Sequence, residues 1–232
     1  MRMASFGSTT SGSAVRGSRG ILLAMLLSLT PPALAMERLL VVGEARSLDD
    51  EELQYREYHH CSVDGRLCSV LYKDGEGQLF ARKQVDYSES LRSPSLLIED
   101  LREGSTLRID GEFDSDLVVD AGFDNYVRQR WSELAQGDTV RFPFLVVGRD
   151  SPVRMKASRR EGNVCDGGAL CVTVTLDAWL LSVLVAPIEL VYDDEKRLTQ
   201  YRGISNIRDA EGRSQNVRID YRYPDDAEGS TS

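Results

Sequence analysis

Long stretches of this chain alternate between apolar and polar residues with a period of two. In the stretch "VRIDYRY", Val217, Ile219 and Tyr221 alternate with Arg218 and Asp220. Successive side chains of a β-strand point to opposite faces of a sheet, so the pattern predicts strands with one apolar and one charged face. Similar stretches recur along the chain between turn signals such as "DGEG" and "DDEK". Many strands joined by short turns predict an antiparallel meander.

A wide sheet with one apolar face cannot stay flat, because that face would remain in contact with water. The sequence therefore predicts a mainly β fold. We expect a curled antiparallel sheet, a half-barrel or barrel, of about ten to twelve strands, with one or two short helices packed on the concave side.

One segment that departs from the alternation is "GFDNYVRQRWSELAQG". Its apolar residues Phe123, Val127 and Trp131 recur at helical spacing, which predicts an amphipathic helix. Asp124 is a candidate N-cap of this helix, and Gly137 is a candidate stop.

A second departure is "AWLLSVLVAP", residues 178–187, which is apolar on every side and predicts a short buried helix or a core strand. A sheet of this width encloses more volume than two short helices fill, which predicts an apolar cavity. The expected lining consists of large apolar side chains, namely Phe123, Val127, Trp131, Phe142, Phe144 and Trp179.

Residues 1–35 have the three parts of a secretory signal peptide. The first twenty residues carry only arginines as charges, an apolar run extends from Ile21 to Leu29, and Ala33-Leu34-Ala35 closes the segment. The apolar run is less than half of the roughly 20 residues that span a bilayer, so cleavage after Ala35 is favoured over an uncleaved anchor. These features predict a protein exported to the periplasm.

The remaining chain is predicted to form a single β-rich domain over residues 36–223, followed by a polar, disordered tail over residues 224–232. The full chain has a net charge of −9. Without residues 1–35 it keeps 25 basic and 37 acidic residues, a net charge of −12. Such an acidic chain repels nucleic acid and anionic membrane surfaces, so we expect no nucleic-acid partner. The apolar segment 178–187 is too short to span a bilayer, so we expect no membrane span after cleavage.

Four cysteines in an exported chain predict two disulfides. In "CSVDGRLC", the Asp64-Gly65 dipeptide predicts a two-residue type I′ hairpin turn that places Cys61 opposite Cys68. Cys165 and Cys171 flank the Gly-rich stretch "DGGAL" and form the second predicted pair. A metal site with His59 and His60 as ligands is the alternative. Neighbouring histidines on a strand point to opposite faces, and the spacing matches no usual zinc pattern, so the alternative is disfavoured.

The chain contains no Gly-x-Ser-x-Gly elbow, no His-Glu-x-x-His helix and no phosphate-binding Gly loop. We therefore predict no catalytic residues, no metal and no cofactor, and a non-enzymatic protein. The acidic ladder Asp110, Glu112, Asp114 and Asp116 is either a cation site or a solvated sheet face, and the second interpretation is favoured. "GISNIRD", residues 203–209, is either a binding loop or ordinary strand-end and turn chemistry, and the second interpretation is favoured.

Several stretches from residue 53 onward resemble a domain-of-unknown-function family of exported proteobacterial proteins. The stretches are "LFARKQVDYS", "PSLLIEDLREG", "AGFDNYVRQRWSELAQGDTVRFPFLV", "LDAWLLSVLVAPIELVYD" and "RLTQYRGISNIRDAEGRSQNVRIDY". The resemblance implies a β-rich half-barrel, loosely similar to the periplasmic lipoprotein-carrier folds that hold acyl chains in a concave sheet. The two cysteine pairs depart from the family pattern, and the resemblance implies no particular activity.

These observations lead to three functional hypotheses. The first is a non-enzymatic periplasmic binder or carrier of an apolar, lipid-like molecule in the cell envelope. The second is an interaction module of the envelope with a fully packed interior and a protein partner bound at an exposed strand. The third is a hydrolase that uses carboxylates on the sheet rim, which no group of residues in the sequence supports.

Overall fold

The computed structural model describes residues 37–160, 169–178 and 186–224. Its strands in chain order are β1 (Arg38–Ser47), β2 (Leu53–Cys61), β3 (Leu67–Lys73), β4 (Leu79–Asp86), β5 (Ser95–Asp100), β6 (Ser105–Ile109), β7 (Val118–Val119), β8 (Val140–Leu145), β9 (Val153–Arg159), β10 (Leu170–Leu176), β11 (Ile188–Tyr192), β12 (Leu198–Ile204) and β13 (Asn216–Arg222). A 3₁₀ turn (Asp120–Gly122) and the helices α1 (Phe123–Gln129) and α2 (Trp131–Ala135) lie between β7 and β8.

Within these described ranges, all thirteen strands belong to one curled sheet that does not close into a barrel. Its order is β6-β5-β4-β3-β2-β1-β13-β12-β11-β10-β9-β8-β7. The predicted mainly β fold and meander are confirmed, with one strand more than expected. The additional strand is the two-residue β7, which pairs with β8 in parallel because the helical segment crosses between them. The first and last strands, β1 and β13, lie side by side in the middle of the sheet.

The chain connectivity explains why the sheet is curled. The two edge strands, β6 and β7, are consecutive in sequence, and nine Cα steps join Ile109 to Val118. Those steps span at most about 31 Å. Thirteen flat strands would hold the two edges about 58 Å apart. The short link therefore requires the edges to approach each other, which produces a concave inner face.

The outer face of the central strands carries the charged half of the alternation. Arg56 on β2 pairs with Glu44 on β1 at 3.3 Å, and Arg218 pairs with its neighbour Asp220 at 3.0 Å. Gln200 on β12 donates a hydrogen bond to Asp220 at 2.8 Å. Exposed pairs of this kind each contribute little free energy, but they keep the outer face compatible with water.

The inner face packs into two apolar clusters. One is built mainly on β1 to β6 and contains Tyr55 and Tyr72, whose ring centroids are 5.8 Å apart in an edge-to-face contact. The other is built on β8 to β11 together with α1 and α2, where Trp131 packs edge-on against Tyr192 at 5.7 Å. Both clusters bury the apolar half of the period-two pattern, which is the main source of stability of such a sheet.

The predicted helix over residues 123–137 is interrupted at Arg130, whose φ of −96° and ψ of 13° separate α1 from α2. The prediction of Asp124 as its N-cap is wrong. Gly122 occupies that position without a side-chain cap, and Asp124 lies within the first turn, where its carboxylate pairs with Arg128 one turn later. The predicted stop is confirmed, because Gly137 has a φ of +92° and donates its N–H to the Leu134 carbonyl.

The hairpin between β2 and β3 has the predicted register, with Cys61 directly opposite Cys68. The two residues form a disulfide, and their Cα atoms are 4.1 Å apart. The predicted type I′ turn is wrong, since Gly65 has a positive φ and Asp64 does not. Instead, the Asp64 carboxylate accepts hydrogen bonds from the Ser62 hydroxyl and the Arg66 N–H, which stabilises a longer loop.

Several predictions concern residues outside the described ranges and stay predictions. They are the signal peptide over residues 1–35, most of the apolar segment 178–187, the tail after Pro224, and Cys165. Cys171, the predicted partner of Cys165, is disulfide-bonded. No helix of the described ranges is long and apolar enough to cross a membrane.

Candidate binding cavity

The curled sheet borders a cavity of about 1000 Å³. Its wall consists of the inner face of the sheet, the 3₁₀ turn with α1, and the loop over residues 205–215 between β12 and β13. The lining extends from the disulfide hairpin, at Cys61 and Cys68, to the turn between β5 and β6, at Glu103. The hairpin and the turn lie at opposite ends of the strands, so the cavity runs parallel to the strands.

The six residues predicted to line an apolar cavity fall into three groups. Phe123 and Phe144 border the cavity, with their ring centroids 5.6 Å apart. Val127, Phe142 and Trp131 belong to the second apolar cluster and do not border the cavity. The reason is that α1 presents Val127 to the sheet and its polar side to the cavity. Trp179 lies outside the described residues.

Lys83 and Asp120 form a buried ion pair on the cavity wall. Lys83 extends from the inner face of β4 and Asp120 from the 3₁₀ turn, with 3.2 Å between Nζ and Oδ1. Their side chains are only 9% and 7% exposed. The amide of Asn206, in the loop after β12, donates to both Asp120 carboxylate oxygens at 3.1 Å. Desolvating two charges is costly, so this pair needs these additional contacts to be tolerated.

Glu57 and His59 form a second polar contact on the inner face of β2. His59 Nε2 lies 3.0 Å from Glu57 Oε1, and the Glu57 side chain is only 7% exposed. Gly43 on β1 lies directly opposite Glu57 on one side and Tyr221 of β13 on the other. A Cβ atom at Gly43 would lie 2.7 Å from Glu57 Cγ, so the absence of a side chain allows Glu57 to lie across β1.

Burial would by itself raise the pKa of Glu57. The charge of His59, hydrogen bonding to His59 and Tyr221, and the more distant charge of Lys83 outweigh it and hold the pKa below its ordinary value of 4.5. Glu57 is therefore ionised at neutral pH. We name Glu57, His59, Lys83, Asp120 and Asn206 the interior polar cluster.

Asp124 is a further carboxylate at the cavity, and its environment shifts its pKa in the direction opposite to the shift of Glu57. Burial raises its pKa, against the charges of Arg128 and His59. Oδ2 contacts Arg128, while Oδ1 and the Tyr192 hydroxyl are both buried without a well-formed hydrogen bond. The two groups are close enough to interact, and Asp124 contributes to the raised pKa of Tyr192.

The loop over residues 205–215 covers one end of the cavity. The Ser205 hydroxyl is 2.8 Å from the Tyr55 hydroxyl on β2, and Arg102, in the turn after β5, donates to the Arg208 carbonyl at 3.0 Å. These contacts join β12 and β13 to the far half of the sheet. The turn chemistry expected for "GISNIRD" is confirmed, because the Ser205 hydroxyl accepts a hydrogen bond from the Ile207 N–H at 3.0 Å. Ser205 and Asn206 also border the cavity.

The acidic ladder is separated from the cavity. Asp110, Glu112, Asp114 and Asp116 are exposed, as the favoured interpretation expected, but they lie on the link between β6 and β7 and not on a sheet face. Among the described residues, no group of three or more His, Cys, Asp or Glu side chains has a geometry suited to a metal ion.

The sequence interpretation missed Glu57, Lys83 and Gly43. A signal for each was present, because Glu57 and Lys83 occupy inward positions of alternating strands, between Tyr55 and His59 and between Ala81 and Val85 respectively. A charged residue in phase with an apolar face requires a partner inside the fold. A Gly within a strand, such as Gly43, indicates a close approach.

A concave, largely apolar space with a few convergent polar groups is the usual form of a small-molecule site. Comparison of the chain with protein-family models, with curated proteins and with solved structures found no match. The assignment of a function therefore depends on the geometry of the cavity.

Proposed function

We propose that the chain is an exported, non-enzymatic binding or carrier protein that holds a small molecule in the cavity of its curled sheet. The observation that carries this proposal is the cavity of about 1000 Å³, which has both apolar walls and the interior polar cluster. Pockets of this size accommodate a ligand of drug or lipid-fragment dimensions. The signal-peptide features of residues 1–35 support export and a periplasmic location.

The polar cluster modifies the expected ligand. A purely apolar molecule would leave Glu57, Lys83 and Asp120 without polar contacts beyond their own, in a space from which the ligand excludes water. A molecule with an apolar body and one polar group fits both parts of the wall. The ligand class that we propose is therefore amphipathic.

The geometry of the cavity also makes the interaction module and the hydrolase less favoured hypotheses. An interaction module with a fully packed interior does not account for an open space of this volume. A hydrolase would find support in carboxylates with opposite pKa shifts, as for Glu57 and Asp124. However, one Asp124 oxygen is buried and the other contacts Arg128, so Asp124 has no oxygen free to donate a proton to a substrate.

Two measurements test the proposal. The protein is purified from the envelope of its own cell and examined by native mass spectrometry, where we expect a bound small molecule that organic extraction releases. The purified protein is then titrated with the uncharged fluorophore N-phenyl-1-naphthylamine, and we expect saturable binding of one molecule per chain. The absence of both a co-purified molecule and saturable binding contradicts the proposal.

Substitutions at the rim locate the bound fluorophore. Ile204 borders the cavity and is 52% exposed, so Ile204→Trp narrows the opening with little effect on the core. Leu79 is 37% exposed and does not border the cavity, so Leu79→Trp is the matched control. We expect Ile204→Trp to weaken binding and Leu79→Trp to leave it unchanged. Equal effects of the two substitutions would place the fluorophore outside the cavity.

A further inference from the structure

The charges of the inner cavity wall do not balance. Six carboxylates and four permanent cations line the whole cavity. The part of the wall formed by β2, β4 and the helical segment holds three of these carboxylates, Glu57, Asp120 and Asp124, and two of the cations, Lys83 and Arg128. Lys83 contacts Asp120, and Arg128 contacts Asp124. Asp120 and Asp124 therefore each form an ion pair with a permanent cation. Of the three carboxylates, Glu57 is the one without such a pair within the described ranges.

Among the described residues, the one basic group within ion-pair distance of Glu57 is His59. An imidazole carries a positive charge only when it is protonated, so His59 is a conditional counter-ion. A permanent positive charge beside Glu57 would interact strongly with its carboxylate, since the protein interior screens charges less than water does. A cationic group in the cavity would therefore give Glu57 a counter-ion that does not depend on the protonation of His59.

The surroundings of Glu57 are aromatic. Tyr72 lies directly opposite Glu57 on β3, and Tyr55 precedes Glu57 by two residues on the same face of β2. Tyr221 lies on the other side of Gly43. All three border the cavity. The face of an aromatic ring attracts a cation, most strongly where water is excluded. Tyrosine rings around a carboxylate form a site for an ammonium group, including one without N–H donors.

The strand next to Glu57 holds this arrangement in place before any ligand binds. Gly43 lies between Glu57 and Tyr221 in the sheet, and its missing side chain leaves room for the carboxylate between the strands. A preformed site avoids the cost of ordering its groups when the ligand binds.

We propose that the part of the cavity at Glu57 binds a cationic group, so that the ligand is an amphipathic amine or quaternary ammonium compound. The carboxylate of Glu57 is its counter-ion, Tyr55, Tyr72 and Tyr221 form the aromatic part of the wall around that carboxylate, and the apolar wall receives its hydrocarbon part. An anionic head group would be repelled by the negative charge of Glu57. The net charge of −9 also attracts cations to the protein.

This inference rests on the proposed function, and a series of matched ligands separates the two. The protein without residues 1–35 is titrated by calorimetry with octyltrimethylammonium, octyl sulfate and 1-octanol at 150 mM salt. The two surfactants are kept below their critical micelle concentrations and the alcohol below its solubility limit. These probes share one hydrocarbon chain and differ in head-group charge. We expect octyltrimethylammonium to bind about tenfold tighter than either of the others, which corresponds to roughly 1.4 kcal/mol.

The possible results have different meanings. If 1-octanol binds as tightly as octyltrimethylammonium, the cavity binds ligands but the cation site is contradicted. If octyl sulfate binds tightest, the proposed charge preference is reversed. If no member of the series binds, the proposed function itself fails. The wild-type protein alone decides among these results, so none of them depends on the folding of a variant.

Two variants test whether Glu57 is responsible for the preference for octyltrimethylammonium. Glu57→Gln keeps the size of the side chain and removes the charge, and we expect it to abolish the preference while octanol binding stays the same. Glu99→Gln makes the same change in net charge on the outer face, where Glu99 pairs with Arg82, and we expect it to retain the preference. Circular dichroism and thermal unfolding establish that both variants are folded. An unaltered preference in folded Glu57→Gln contradicts the assignment to Glu57.

Discussion

Gly43 lies directly opposite Glu57 in the sheet, and a Cβ atom on Gly43 would come within 2.7 Å of Glu57 Cγ and 2.9 Å of Glu57 Oε1. The buried carboxylate thus occupies the space where the neighbouring strand would otherwise carry a side chain. This relationship links a backbone position in β1 to the polar chemistry of the cavity.

Gly43→Ala is expected to destabilise the protein by about 1–3 kcal/mol, because the added methyl group displaces Glu57 and also meets Ile219. Urea unfolding measures the loss. Gly75→Ala is the control, since nothing lies within 4 Å of a Cβ atom there. In a Glu57→Ser background the cost of Gly43→Ala should fall, because one of the two clashes is removed. The same cost in both backgrounds would show that Glu57 is not the obstacle.

Lys83→Met is expected to cost about 3–5 kcal/mol of unfolding free energy, since it leaves the Asp120 carboxylate buried without its cation. Combining it with Asp120→Asn should restore most of the stability, and Asn tolerates the φ of +26° at this position. A double-mutant cycle by chemical unfolding measures the coupling. Arg82→Met on the outer face, where the Arg82 side chain is 46% exposed, should cost far less unfolding free energy than Lys83→Met. Additive effects of the two inner substitutions would contradict the coupling.

The stability of Asp124→Asn relative to wild type should depend on pH. The folded-state pKa of Asp124 is raised above its ordinary value of 3.8 by burial. Its protonated form therefore adds stability that is fully present below about pH 3.8 and is lost as pH rises through the folded-state pKa. Asn resembles the protonated form at every pH, so the melting temperature of Asp124→Asn relative to wild type should improve from pH 4 to pH 7.

Glu57→Gln should show the opposite trend, and it serves as the comparison for Asp124→Asn. The pKa of Glu57 is lowered in the folded state, so its contribution is present above its unfolded value of about 4.5 and is lost as pH falls through the folded-state pKa. The deficit of Glu57→Gln relative to wild type should thus be larger at pH 7 than in acid. Parallel pH trends for the two variants would contradict both assignments.

Removal of the Cys61–Cys68 disulfide by a double substitution with alanine should cost about 2.5 kcal/mol, as expected for a loop of this length. The measurement is thermal unfolding of oxidised wild type and the variant. Because both cysteines border the cavity at its hairpin end, binding of N-phenyl-1-naphthylamine should also weaken. A variant with unchanged stability would show that strand pairing alone holds the hairpin.

Local patterns were sufficient for much of the fold. The alternation in "VRIDYRY" predicted the inward positions of Val217 and Ile219, and both are buried. The helix over residues 123–137 was predicted as one element, whereas Arg130 interrupts it. The sequence pattern did not reveal the break, because the apolar spacing continues across Arg130, from Val127 through Trp131 to Leu134.

The sequence by itself determined the strands, their two faces and the pairing of Cys61 with Cys68, because these follow from backbone geometry repeated every two residues and from one short turn. Only the tertiary structure decided which inward polar residues meet. Lys83 reaches Asp120 across 37 residues, and Tyr55 reaches Ser205 across 150. Those contacts depend on the curl of the whole sheet, which sums the small twist between every pair of neighbouring strands and so has no local signal in the sequence.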